Sequence, residues 1–133
     1  MSTLKVNTIQ NTSGGSSSTP EQLEQGRCKV WMNMNGEPSE SIRDSFNVSS
    51  FTDNGTGDFV VNFATAMANA NYVVGVLTSR NNGNTGDICN WGGVSAKTVN
   101  GFDLGVYQTN SNFSASSHRG NLQEVVDVMV FGD

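Results

Sequence analysis

The chain has 133 residues, a formal net charge of −5 and only seven lysines and arginines, which are scattered along it. A nucleic-acid-binding surface needs clustered cations to neutralise phosphates, so this distribution argues against a nucleic-acid partner. Asparagine, glycine, serine and threonine supply 59 of the residues, and these types favour turns over long helices. The composition therefore predicts an all-β protein with one main domain.

Targeting segments and disulfides are not indicated by the sequence. The first residues lack the apolar core of a signal peptide, and no apolar run approaches the roughly twenty residues that span a membrane. We therefore expect the protein to be made in a cytoplasm and not to insert into a membrane. Cys28 and Cys89 are too few for a disulfide scaffold, and we expect both to be reduced and buried.

The chain begins with a β-prone stretch in residues 3–10, whose apolar positions are Leu4, Val6 and Ile9. A single strand is not stable in water, so it must pair with another copy of the chain or with a different protein. Residues 11–18, "NTSGGSSS", have the composition of a flexible linker.

Residues 19–26 carry the signals of a short helix. Thr19 is an N-cap, Pro20 occupies the first helical position, Gln22 completes a capping-box pattern, and Gly26 ends the helix. Its one apolar anchor, Leu23, needs a surface on which to dock. We expect residues 1–26 to form an anchoring and oligomerisation segment that uses Leu23 and the three apolar residues of the first strand. The alternative is a tail without a role.

From residue 27 onward the sequence predicts about seven short strands. "RCKVWMNMN" (27–35) and "FVVNFATAM" (59–67) place alternate apolar residues on one face, and "IRDSFNVSSF" (42–51) should place Phe46 and Val48 on the same face. Asn54-Gly55 predicts a hairpin, and we expect further turns at Gly92-Gly93 and Asn100-Gly101.

Two further strands are almost wholly apolar. "YVVGVLTSR" (72–80) predicts a central strand. The last strand, within "LQEVVDVMVFGD" (122–133), should lie centrally or be covered by a neighbouring subunit because both of its faces are apolar. Close strand spacing with turn residues between strands predicts an antiparallel β-sandwich for residues 27–133.

Several of these stretches together resemble a known family. "STLKVNTIQ" with a Ser/Gly linker, "EQGR.K.W.N.NG", and "IRDSFNVSSFTDNGTGDFVVNFATAM.NANYVV" are similar to small tail-fibre-like virion structural proteins of tailed phages of marine bacteria and cyanobacteria. The resemblance extends to about residue 75. It implies a homotrimeric virion component with a lectin-like β-sandwich of the phage-fibre tip type, attached to the particle by its N-terminal segment. It implies no catalytic residues.

Catalytic and metal-binding patterns are weak. The one histidine, His118, lies near two serines, but a nucleophilic site also needs an orienting carboxylate, and a solvated loop histidine explains the pattern better. Asp53, Asn54 and Asp58 lack the number of carboxylates that calcium prefers, and hairpin turns account for them. We expect no enzyme activity, no cofactor and no metal.

Glycan recognition is the more serious binding hypothesis, because sugars stack on aromatic rings and bond to amide and carboxylate groups. The candidate receptor contacts, in or near two polar stretches, are Trp91, Asn84, Asp87, Tyr107, His118 and Arg119. The alternative is that Trp91 and Tyr107 are core or subunit-interface aromatics.

The sequence thus predicts a non-enzymatic tail fibre or tail-associated virion protein that contributes to host attachment, with itself, other virion proteins and host surface glycan as partners. A head decoration or fibre protein, another structural virion protein, and a stand-alone glycan-binding module are the alternatives.

Overall fold

The structure, a computed structural model, describes residues 2–36, 39–55, 57–79, 89–109 and 125–132. Within these ranges one short helix and ten strands are found. The strands are β1 (Ile9–Gln10), β2 (Ser17–Ser18), β3 (Cys28–Asn35), β4 (Ser41–Phe46), β5 (Val48–Gly55), β6 (Asp58–Phe63), β7 (Val73–Ser79), β8 (Cys89–Thr98), β9 (Gly101–Thr109) and β10 (Val125–Phe131), and the helix is α1 (Pro20–Gly26).

Two four-stranded antiparallel sheets contain the eight longer strands. The first sheet has the order β4-β3-β10-β7, and the second sheet has the order β5-β6-β9-β8. The last strand of the chain lies between β3 and β7, as its two apolar faces predict. The all-β prediction is confirmed, and each sheet joins strands that are distant in the sequence.

One hydrophobic core receives side chains from both sheets, and it follows the alternation read from the sequence. Its fully or nearly fully buried members on the four central strands are Val30, Met32, Met34, Val126, Val128, Val130, Phe59, Val61, Phe63, Phe102, Leu104 and Val106. Burying one such side chain contributes about 1.5–3 kcal/mol. This cluster is therefore the main source of stability in the two-sheet part of the chain from residue 27 onward, which we call the body.

The chain passes from the first sheet to the second at Asn47, so residues 42–51 form two strands and the single-strand prediction is wrong. Asn47 has a φ of 58°, a left-handed conformation that asparagine tolerates better than most residues. The turn leaves Phe46 exposed on the first sheet, whereas Val48 packs against the core. The two residues therefore do not share a face.

Two other strand predictions also need correction. Residues 73–79 form an edge strand rather than a central one, with Val73 and Leu77 exposed. β8 continues through Gly92-Gly93, where a turn was predicted. Glycine is needed there for packing, because a Cβ atom at Gly92 would lie 2.1 Å from Cγ1 of Val76 on the other sheet. The predicted turn at Asn100-Gly101 and the hairpin at Asn54-Gly55 are confirmed.

The N-terminal region is more ordered than a flexible linker. The short strand β1 pairs with β2 of the same chain, so only two residues of the predicted strand 3–10 are strand. In the intervening turn the side-chain oxygen of Asn11 accepts hydrogen bonds from Gly15 N (2.8 Å) and Ser13 Oγ (3.0 Å). The pairing partner of this strand is thus found within the chain itself.

Candidate functional site

The four apolar residues that the sequence assigns to anchoring lie together in space. Leu4, Val6, Ile9 and Leu23 all line one cleft of about 660 Å³ between the N-terminal extended segment and α1, which we call the N-terminal cleft. All four side chains remain accessible, with Leu4 85% and Ile9 54% exposed. Four large apolar side chains around one open cleft form a surface that water solvates poorly.

Helix capping positions Leu23 in this cleft. Thr19 accepts a hydrogen bond at Oγ1 from the backbone N–H of Gln22 (3.2 Å), and the Gln22 side chain accepts one from the backbone N–H of Thr19 (2.9 Å). The predicted capping box is therefore confirmed. A helix of seven residues with no buried side chain gains little from its own packing, so its caps and any docked surface decide its stability.

A small ionic cluster joins α1 to the first sheet. The carboxylate of Glu24 accepts hydrogen bonds from Arg27 (2.8 Å) and from Lys29, whose side chain is mostly covered. The hydrogen bond from Lys29 is the main cause that lowers the pKa of Glu24 below its usual value. Beside the cluster a second cavity of about 560 Å³ separates the helix from Phe46 and Met67 of the body. Polar contacts thus hold α1 to the body, and its apolar residue Leu23 remains available.

Most of the candidate receptor residues lie outside the described part of the chain. This applies to Asn84, Asp87, His118 and Arg119, and also to the side chain of Trp91. The backbone of Trp91 lies directly opposite Tyr107 in the pairing of β8 with β9.

Tyr107 lies on the outer face of the second sheet, since its neighbour Val106 points into the core. The Tyr107 side chain is half-buried and covers Gly105, where an added Cβ atom would come within 2.5 Å of the tyrosine hydroxyl. Because residue 105 has no side chain, the ring can lie close to the sheet. A ring held in this way is suited to stacking against a flat apolar face of a ligand.

Sequence reasoning missed one large surface, the outer face of the first sheet. Its exposed apolar side chains are Phe46, Trp31, Met129, Phe131, Val73 and Leu77. The described side chains on the outer face of the second sheet are mostly polar. Exposed Ser50 and Thr52 lie beside half-buried Asn62 and Asp103, and half-buried Val60 and Tyr107 share the face. In the sequence, only the last strand indicated this surface, through the apolar residues that alternate with its core valines.

Neither a membrane-spanning helix nor a metal-binding group is found in the described ranges. None of their helices is long and apolar enough to cross a membrane, and no three His, Cys, Asp or Glu side chains in these ranges are grouped to hold a metal ion. Asp53 accepts a hydrogen bond from the backbone N–H of Gly55 at 2.8 Å, a contact typical of a tight turn.

Comparison with known proteins found no family model that matches the chain, and no curated protein or solved structure with significant similarity to it.

Proposed function

We propose that this protein is a non-enzymatic virion protein of a tailed phage, a tail fibre or tail-associated component that attaches to the particle through residues 1–26. The observation that carries the proposal is the N-terminal cleft, where Leu4, Val6, Ile9 and Leu23 meet and stay exposed. The sequence resemblance to tail-fibre-like virion proteins supports the same function. A head decoration or fibre protein attached through the same segment is the alternative.

The apolar side chains of the cleft would contribute favourable free energy to docking. Full burial of one leucine or isoleucine contributes about 1.5–3 kcal/mol, so burial of the four side chains would contribute several kcal/mol before ordering costs. The segment has already formed its hairpin and capped helix, so less conformational entropy is lost on binding than for an unfolded tail.

The body would then present the binding surface of the particle. We propose that its two sheets form a lectin-like β-sandwich of the phage-fibre tip type, since they share one core, and that three copies assemble as a homotrimer. In a trimer each weak sugar contact is present three times, and linked contacts bind more tightly than single ones. Tyr107, over its glycine neighbour, is the described residue best suited to contact a host surface glycan. The same ring would serve a stand-alone glycan-binding module, which is the second alternative.

The test of this function replaces the apolar residues of the cleft in full-length protein supplied to phage particles during assembly. Ile9→Ser with Leu23→Ser should abolish incorporation, because the docking surface loses its apolar contacts while the capping residues remain. The matched control is Val99→Ser, which changes a 37% exposed apolar residue that does not line the cleft and should leave incorporation intact. The amount of each protein in purified particles is measured by quantitative mass spectrometry. Normal incorporation of the folded double variant would refute attachment through the cleft.

A further inference from the structure

The outer face of the first sheet is largely apolar and is crossed by one polar row, Asp44, Asn33 and Asp127, on three neighbouring strands. In the strand register Phe46 lies opposite Trp31, Trp31 lies opposite Met129, and Phe131 lies opposite Val73. Directly opposed residues lie about 4.5–5.5 Å apart, so these side chains contact one another across the strands. The surface includes the two edge strands, where side chains are most exposed, with Val73 at 67% and Leu77 at 59%.

We propose that this face is the surface through which copies of the chain contact each other. The partner is another copy of the same chain. This inference rests on the proposed function for one assumption, namely that three copies assemble. Trp31 and Met129, on the two central strands, would lie nearest the axis of that assembly, and Phe46 on one edge strand would meet β7 of a neighbour.

The apolar area of the face can be compared with what self-association requires. The six apolar side chains expose on the order of 500 Å² together, taking about 150–250 Å² for a whole aromatic side chain and the exposed fraction of each. A stable interface buries about 800 Å² per partner, and about 65% of a homodimer interface is apolar. In a trimer each chain shares this face between two neighbours, so the face supplies about half of the apolar area that two such interfaces would contain.

The shape of the face favours a sheet as its partner. Apolar residues occupy all four strands, and strands about 4.8 Å apart give a face roughly 19 Å wide. A single helix is about 10–12 Å across with its side chains and would leave an edge strand uncovered. Three faces of equal width around a three-fold axis would each meet parts of two neighbouring faces, so all four strands would be covered.

The two carboxylates at this face have hydrogen-bond donors within the chain and keep their negative charge. Asp127 accepts a hydrogen bond from the side chain of Asn33 (2.5 Å), and Asp44 accepts one from the backbone N–H of Ser45 (2.8 Å). Lys29 is bound to Glu24. Each carboxylate therefore keeps a hydrogen-bond partner when an identical acidic chain approaches, which lowers the cost of covering it.

The experiment measures the molar mass of full-length protein by light scattering over a range of concentrations. Val73→Lys with Leu77→Lys places two charges on the face at its most exposed positions, where the core is not disturbed. The matched control, Ser50→Lys with Thr52→Lys, places the same charges on the edge strand of the polar face. Circular dichroism checks folding, and Phe46→Glu, on the opposite edge strand, is the second variant if the first one does not fold.

We expect the wild type and the control at three times the chain mass and the Val73/Leu77 variant at the mass of one chain. A folded variant that keeps the wild-type mass would refute the face as the interface. A wild-type monomer at all concentrations would also refute it, without affecting attachment through the N-terminal cleft, which incorporation into particles tests separately. A wild-type dimer that the variant dissociates would support the face and remove the trimer from the proposed function.

Discussion

The turn at Asn47, where the chain leaves the first sheet and enters the second, allows a sharp test of the fold. The side chain accepts a hydrogen bond from Thr65 N (2.7 Å) and donates to Thr65 O (3.1 Å) and Lys29 O (3.3 Å). It therefore ties the start of the first sheet to the end of β6, at the point where the backbone has a φ of 58°. We expect Asn47→Ala to destabilise the protein more than an average substitution at a half-buried polar residue.

The magnitude follows from the number of lost bonds. A net hydrogen bond contributes about 0.5–1.5 kcal/mol, and a left-handed backbone costs alanine about 1–2 kcal/mol. Asn47→Ala should thus lower the free energy of unfolding by about 3 kcal/mol. Asn47→Gly loses the same hydrogen bonds but adopts the left-handed backbone without strain, so its loss of unfolding free energy should be smaller by about 1–2 kcal/mol.

Equilibrium urea unfolding of the full-length protein measures both variants. The control is Asn62→Ala on β6, where the side chain makes one 3.3 Å bond to Ser50 Oγ, and its effect should be below about 1 kcal/mol. If Asn47→Ala were no more destabilising than Asn62→Ala, the side chain of Asn47 would not stabilise the passage between the sheets.

Two further predictions concern recognition and charge. Tyr107→Ala should reduce binding of the assembled protein to host cells, whereas Tyr107→Phe, which keeps the ring, should preserve binding. Equal binding by the wild type and both variants in a cell pull-down would exclude the ring as a contact. The lowered pKa of Glu24 means that its contribution to the folded state is complete above the ordinary value of 4.5 and is lost as pH falls through the lower folded value. An NMR titration should place the Glu24 midpoint below 4.5. Lys29→Met should raise that midpoint because the principal hydrogen bond is removed. An unchanged midpoint would show that the hydrogen bond from Lys29 does not lower the pKa of Glu24.

Local patterns in the sequence determine much of what the structure contains. The capping box at Thr19 and the alternation of buried residues in β3 and β6 depend on neighbours within a few positions, and both are predicted correctly. The position of the last strand also follows from its sequence, since a strand with two apolar faces is best placed between neighbours.

The errors arise where distant parts of the chain decide the outcome. Nothing local shows that Asn47 changes sheets, because an asparagine inside an apolar alternation also fits a continuous strand. Gly92 reads as a turn residue, but its role is to admit Val76 from the other sheet. β7 reads as central because Val73 and Leu77 are apolar, whereas they belong to the exposed face.

The candidate site was also predicted only in part, because its local features follow from the sequence and its long-range contacts do not. The sequence predicts which N-terminal residues are apolar, but their convergence in one cleft depends on how the β1–β2 hairpin places Ile9 against α1. A lone apolar residue in a short helix gives no indication of its neighbours, and Leu23 could equally have docked on the sheets. The ionic cluster of Glu24 with Lys29 was also not predicted, because the partners lie on separate elements.

The most direct measurement for the central claim is site-specific photo-crosslinking in assembled particles. A photoreactive amino acid replaces Leu4, the most exposed of the four apolar residues of the N-terminal cleft, and in a parallel sample it replaces Thr52 on the polar face of the body. Attachment through the cleft predicts a covalent product between this chain and another virion protein from position 4 and none from position 52. Particles that contain the protein but give no product from position 4, or give the same product from position 52, would contradict it.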